Sequence, residues 1–260
     1  MNETLEAMAR AIFKSWFVDF DPVRAKAEGR DPCLPNEIAD LFPDSFEDSE
    51  LGEIPKGWKI GNVAELGEII CGKTPPTIEP TNYGDDIPFI TIPDMHGNVF
   101  IAKTGKRLSI KGANLQKNKF LPEKSICVSC IATPGLVVIT SEKSQTNQQI
   151  NSVIPKNELS PYYCYELLQR LGHQIRSGGS GGSVFSNLNK TQFSQLEILL
   201  AEKDVIKKYH AYIESLFDRL LSNQRENQTL LVLRDTLLPR LISGELRVPD
   251  AERFIEEAGG

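Results

Sequence analysis

The chain has 260 residues, 40% hydrophobic and 25% charged, with a formal net charge of −6; this is the balance of an ordinary globular protein of one large or two small domains and excludes a disordered or fibrous chain. Its longest apolar runs, such as CIATPGLVVI at 130–139, are strand-sized and broken by Pro134 and Gly135, far short of the roughly 20 apolar residues a membrane-crossing helix needs, and the amphipathic, acid-bearing first residues are not signal-like. A cytoplasmic protein with no membrane partner is therefore expected.

Residues 2–18 are expected to be helical, since Leu5, Met8, Ala9, Ile12, Phe13 and Trp16 recur at spacings of three and four, and Asp21-Pro22 is the expected stop. The stretch 22–57 holds many prolines and acids and reads as an irregular connector with at most a short helix near 37–42. From Trp58 to about 155 short β-rich runs stand between glycine and proline punctuation: GEIICG, IPFITIPDM, SICVSCIA, GLVVIT and QINSVIP. A helical segment at 160–177, the glycine-rich SGGSGGSVFSNLNKTQF and a last strand, LEILLA, follow.

From 202 to 238 there is neither Pro nor Gly, and Ile206, Tyr209, Ile213, Leu216 and Leu220 form a coiled-coil seam that continues through Asn223, Asn227, Leu230 and Leu237. A helix of that extent is roughly 55 Å long, too long to be covered by one small β-rich domain. The opening helix, roughly 25 Å, covers only part of it, so a second protein, a second copy, or a longer original chain is expected to cover the rest.

The two ends are also alike. NETLEAMARAIFKS at 2–15 and NQTLLVLRDTLLPR at 227–240 superpose without a gap: Asn2, Thr4 and Leu5 fall on Asn227, Thr229 and Leu230, and Met8, Ile12 and Phe13 on Leu233, Leu237 and Leu238. One helical unit thus recurs on either side of an unrelated middle.

Charge is segregated. Residues 103–124 carry seven bases (Lys103, Lys106, Arg107, Lys111, Lys117, Lys119, Lys124) against Glu123, whereas 28–65 carry ten acids against Arg30, Lys56 and Lys59. Such a chain can turn one basic face toward phosphates, although a solvated lysine-rich loop gives the same count. Cys127 and Cys130 form a C-x-x-C inside a strand-like run, with no second pair or suitably spaced histidine; they read as two thiols on a strand rather than a redox or metal pair. No catalytic or metal constellation is visible. TPPT at 74–77 and SPYY at 160–163 lack members of an amino-methylating motif, Asp94 has no carboxylate and lysine neighbours of a nuclease, and His96, His173 and His210 are scattered.

In this order, the opening helix, GEIPKGWKIGNVAELGEIICGKTP, TNQQINSVIP, SGGSGGSVFSNLNKTQFSQLEILL and the closing LRDTLLPRLISGEL resemble the specificity subunit of type I restriction-modification systems. The resemblance implies an α+β fold: a β-rich target recognition domain flanked by conserved helices, the C-terminal one long and coiled-coil forming. The segments would be a conserved spacer helix at 1–28, an acidic connector at 29–57, the recognition domain at 58–201, the long helix at 202–244 and an acidic tail at 245–260. The recurring helical unit would be the conserved spacer helix present twice.

What the resemblance further implies is recognition of double-stranded DNA without catalysis by this chain. The implied partners are adenine-methylating subunits and a restriction or motor subunit, which would carry S-adenosylmethionine, ATP and Mg; a homodimer through antiparallel long helices is a further implied partnership. The candidate DNA contacts are Lys73 and Thr74 in CGKTP; Lys103, Lys106, Arg107, Lys111, Asn114, Gln116, Lys117 and Lys119 in the variable basic window, with Asn118; and Ser177, Gly178, Gly179, Ser180, Gly181, Gly182 and Lys190 in and after the glycine loop. Glycines admit backbone N–H groups to a phosphate, arginine pairs bidentately with guanine, and an amide with adenine. Asn147 and Gln148, within a family-wide motif, read as structural. Trp16, Phe17 and Phe20, with Leu238, Arg240, Leu241 and Ile242, are candidate anchors for methylation subunits, unless they pack on the chain's own helices. A coiled-coil interaction protein, or a truncated remnant without independent DNA binding, is the alternative.

Overall fold

The computed structural model describes residues 1–176 and 188–246. Helix α1 (Asn2–Phe17) ends four residues before the predicted stop, and Asp21-Pro22 instead opens α2 (Asp21–Ala27), because proline at a first helical turn loses no needed N–H. Phe20 makes the corner with φ of 56°, a left-handed conformation rarely held by a bulky residue, while its ring packs 5.7 Å from Trp58. The segment 22–57 is more ordered than its prolines suggested. Beyond α2 it contains α3 (Asn36–Ala39) and an antiparallel hairpin of β1 (Phe46–Ser49) and β2 (Gly52–Pro55).

The β-rich unit follows: β3 (Lys59–Asn62), β4 (Gly67–Cys71), β5 (Tyr83–Ile90), α4 (Ile92–Met95), β6 (Phe100–Ile101), β7 (Arg107–Leu108), α5 (Ile110–Asn114), β8 (Ile126–Ser129), β9 (Val137–Thr140), β10 (Gln145–Thr146) and β11 (Ile150–Pro155). Then come α6 (Pro161–Arg176), α7 (Lys190–Ser194), β12 (Glu197–Leu200) and α8 (Lys203–Ile242). The main sheet has the order β4-β11-β8-β9-β6, antiparallel except for the β6–β9 pair. A smaller sheet, β10-β5-β7, lies beside it, and β12 returns to pair with β3.

Both faces of the main sheet are buried, and this explains its uninterrupted apolar runs. Ile126, Val128, Val137, Ile139 and Val153 point into the large core shared with the helices. Cys127, Val138 and Ile150 point into a second core with Ile90, Met95 and Leu121. Cys127 and Cys130 therefore belong to different cores, and burial pushes their thiols up to about 12 and about 11. That separation and those protonated thiols are incompatible with a joint redox or metal role.

Aromatic rings join the helices to the sheet. Phe17 lies 4.9 Å from Tyr163 of α6 and 5.1 Å from Tyr209 of α8, and Tyr162 stacks on Phe217 at 4.3 Å. On α8 the buried stripe runs through Ile206, Tyr209, Ile213, Phe217, Leu220 and Asn223. It takes Phe217 where a coiled-coil reading takes Leu216, because Phe217 meets Phe100 of β6 and Tyr162 and Tyr165 of α6 rather than a single aligned helix. No helix among the described residues is long and apolar enough to cross a membrane.

Candidate nucleic-acid interface

The exposed lysines of the basic window are carried by short elements that the smaller sheet holds in place. β5 pairs with β7 through Pro88 and Arg107, so Lys103 and Lys106 sit on the turn leading into β7. That turn is fastened by Asp94, which caps α4 through Thr91 and accepts the Gly105 N–H at 2.7 Å. Asp94 is thus a turn brace. Lys103, Lys106 and Arg107 line an open cleft of about 610 Å³ with Thr77, Tyr83 and Asp85.

The loop after β4 forms a second side. Gly72 is required there, because a Cβ would run into the Asn147 carbonyl and the Thr146 side chain. Lys73 donates its backbone N–H to the Thr146 carbonyl at 2.9 Å and leaves its side chain exposed. The Thr74 hydroxyl donates to Gln148 Oε1 at 2.6 Å, and Asn147 bonds within its own turn to Gln149. Gln148 is thereby a strut for the Thr74 loop.

Beneath these loops lies a pair of buried amides. Gln116 Nε2 donates to the Lys73 carbonyl at 2.7 Å and to Gln145 Oε1 at 2.9 Å, and Gln145 Nε2 donates to the Ala113 carbonyl at 2.9 Å. Gln116 is only 5% exposed, so the expectation that it reads a base is corrected: its amide is consumed in tying the Lys73 loop to α5 and β10. Gly112 adds a second tie, since a Cβ would strike the Asn82 carbonyl.

Arg107 also bonds internally but stays partly exposed at the cleft. Its Nε and Nη2 donate to the carbonyls of Asp85 and Asp86 at 3.0 and 3.1 Å, and Nη1 lies 3.5 Å from Glu142. In the free chain the fork fastens β5. Lys111 donates to Thr81 Oγ1 at 3.0 Å. The side chains of Lys73, Lys103, Lys106, Asn114, Lys117 and Lys190 are exposed and make no hydrogen bond or ion pair among the described residues; that of Lys119 is half-buried.

Three exposed apolar side chains escaped sequence reasoning: Ile78 on the post-β4 loop, Ile110 at the start of α5 and Leu115 at its end. No periodic pattern marks them, because they sit in loops and at the ends of a five-residue helix. Apolar groups among lysines suit thymine methyl groups in a major groove. The glycine-loop candidates Ser177, Gly178, Gly179, Ser180, Gly181 and Gly182 lie outside the described residues.

The candidate partner anchors divide. Trp16, Phe17 and Phe20 are buried in the chain's own core, with Trp16 5.2 Å from Phe42, and that expectation is corrected: their rings fill the space between α1, α8 and the connector. Leu238 and Ile242 are exposed and Leu241 half-buried, while Arg240 Nε reaches Glu245 at 3.2 Å.

A separate cavity of about 220 Å³ lies between α1 and α6, lined by Arg10, Phe13, Lys14, Glu166, Arg170 and His173. Burial raises the Glu166 carboxyl to about 7, against the opposing pull of Arg10. No group of three His, Cys, Asp or Glu suited to a metal ion occurs among the described residues.

Comparison with known proteins agrees with this architecture. The family described as "Type I restriction modification DNA specificity domain" matches residues 55–231. The chain is 43% identical to the type I restriction enzyme HindI specificity subunit of Haemophilus influenzae, over 95% of this chain and 62% of that one. It is 26% identical to the MjaIX specificity subunit of Methanocaldococcus jannaschii, over 96% and 54%. Among solved structures it resembles a type I restriction-modification S subunit from M. genitalium with a TM-score of 0.54 and 15% identity, covering 92% of this chain and 56% of that one; this likeness concerns the fold. The chain thus spans little more than half the length of these relatives.

Proposed function

Since the chain belongs to the family of type I restriction-modification DNA specificity domains, we propose that it is a non-catalytic module that reads one half of a split site in double-stranded DNA. The observation that carries this reading is the family match over residues 55–231, which takes in the whole β-rich unit and most of α8. The unpaired lysines and exposed apolar residues of the post-β4 loop, the β7 turn and α5 supply the surface: lysines for phosphates, Asn114, Ile78, Ile110 and Leu115 for base edges.

In this reading the long helix spaces two recognition units and docks adenine-methylating subunits, with Leu238, Leu241 and Ile242 among its anchors. A restriction or motor subunit joins that complex. S-adenosylmethionine, ATP and Mg belong to those partners, and the assembly acts in the cytoplasm. The second half-site is read by another copy, paired through antiparallel long helices, or by a different half.

The test is co-expression with a methylation subunit of such a system in a methylation-free host, followed by mapping of methyladenine on native DNA. A split motif supports the reading, palindromic for two identical halves and asymmetric for two different ones. Failure of the proteins to associate, with no DNA binding by the chain at low salt, refutes it.

A further inference from the structure

The resemblance between the two ends of the chain has a structural counterpart. α1 lies antiparallel on the first half of α8. Asn223 Nδ2 donates to Asn2 Oδ1 at 2.7 Å, and the Trp16 ring lies 6.0 Å from Tyr209 and 5.9 Å from Tyr212. α1 therefore fills a seat on α8.

Residues 227–242, which correspond position for position to α1, are packed less completely among the described residues: Leu237 is buried and Leu233 and Leu241 are half-buried, while the rest of the apolar face is open. Leu230, Leu238 and Ile242 stand where α1 has Leu5, Phe13 and Phe17, yet they are 55, 49 and 79% exposed. Asn227 corresponds to Asn2, so seating this segment of another copy in the place of α1 puts its Asn227 opposite Asn223. The reverse contact, Asn223 of that copy opposite Asn227, then follows automatically. Both hold only for an antiparallel pair with its two-fold axis near Arg225, which is a closed, self-complementary arrangement.

We propose that α1 and residues 227–242 of a second copy of this chain compete for the same seat on α8. The chain then alternates between a self-capped monomer and an antiparallel pair from which α1 has been displaced. This rests on the paired-halves reading above and adds the register and the device that controls pairing. Several matches are poor: Phe13, Trp16 and Phe17, buried in the seat, correspond to the smaller Leu238, Leu241 and Ile242, and one mismatch also brings in a charge. Ala9, fully buried in the seat, corresponds to Arg234; burying a guanidinium is costlier than burying a methyl group, and α1 has the further advantage of being tethered.

The test is the Arg234→Ala variant of the full chain. Arg234 is exposed and among the described residues bonds only to the adjacent Asp235, so the monomer is left intact while the obstacle to pairing is removed. Sedimentation should show self-association tightened by about tenfold or more, as expected when a buried, unmatched charge is deleted from an interface. Unchanged or weakened association overturns the proposal.

A second variant checks the seat directly: Asn2→Cys with Asn223→Cys, in a background with Cys33 and Cys71 changed to Ser. Oxidised, it should sediment at the 29.0 kDa chain mass at every concentration, and reduction should restore pairing. An oxidised form that pairs as readily as the reduced one also overturns the proposal. DNA binding by the locked monomer is read separately, and its loss in every form would sink the recognition reading while leaving the competition intact.

Discussion

Glu166→Gln is expected to change how stability depends on pH. The carboxyl is 5% exposed and faces Arg10 and Glu6 of α1, Arg170 and His173 of α6, and Tyr209 of α8. Burial lifts it from 4.5 to about 7, so the folded chain holds this proton more tightly than the unfolded one. The group then adds no penalty below about pH 4. Stability falls as pH rises from 4.5 toward 7, where the unfolded chain has released the proton and the folded one has not, and it levels off above 7. At about 1.36 kcal/mol per pH unit, the full span is about 3 kcal/mol.

A neutral glutamine removes that slope. Urea unfolding at pH 5 and pH 8 should therefore show the variant gaining about 2 to 3 kcal/mol relative to the native chain between the two pH values. Packing of the new amide affects both pH values equally and cancels, and His173 and Glu6 are present in both proteins. A stability difference that is the same at pH 5 and pH 8 would refute the reasoning.

Phe17→Ala should destabilise the chain by about 3–5 kcal/mol, as for other buried aromatic truncations, whereas Leu238→Ala should shift thermal unfolding within about 0.5 kcal/mol of native, as for exposed positions; calorimetry distinguishes the two and checks the reassignment of Phe17 to the core. Replacing Lys103 and Lys106 by Ala should lower the slope of log binding constant against log salt by about 1.8, two phosphate contacts at about 0.9 each, without altering the preferred DNA sequence. Gly72→Ala should push the post-β4 loop off the Asn147 carbonyl and reduce DNA affinity about tenfold while costing on the order of 1–3 kcal/mol of stability; an unaffected affinity by fluorescence anisotropy would separate that loop from the interface.

Much of the architecture was legible in residue order. The strands of the main sheet announce themselves as apolar runs because both faces are buried, and α8 because its seam repeats without proline or glycine up to Leu238. The helix continues to Ile242 through Pro239, which forfeits one backbone bond near an end. The connector was misread because local composition registers prolines and acids but not the pairing of Phe46–Ser49 with Gly52–Pro55.

The candidate interface was legible only as charge. That Lys103 and Lys106 stand in a cluster of bases is a property of the chain. That Gln116 is spent internally and Arg107 bonds to β5 depends on carbonyls of Lys73, Asp85 and Asp86 brought to them from elsewhere, and no local pattern marks a side chain whose partners are distant. The anchors follow the same division. Sequence periodicity alone placed Trp16 and Leu238 on equivalent apolar faces of one repeated helix, because periodicity depends on a segment's own residues. Only the tertiary structure decided that the first is buried and the second exposed, because burial depends on what the rest of the chain brings alongside, and the described residues pack α1 on the first half of α8 while Leu230, Leu238 and Ile242 of the second stay exposed.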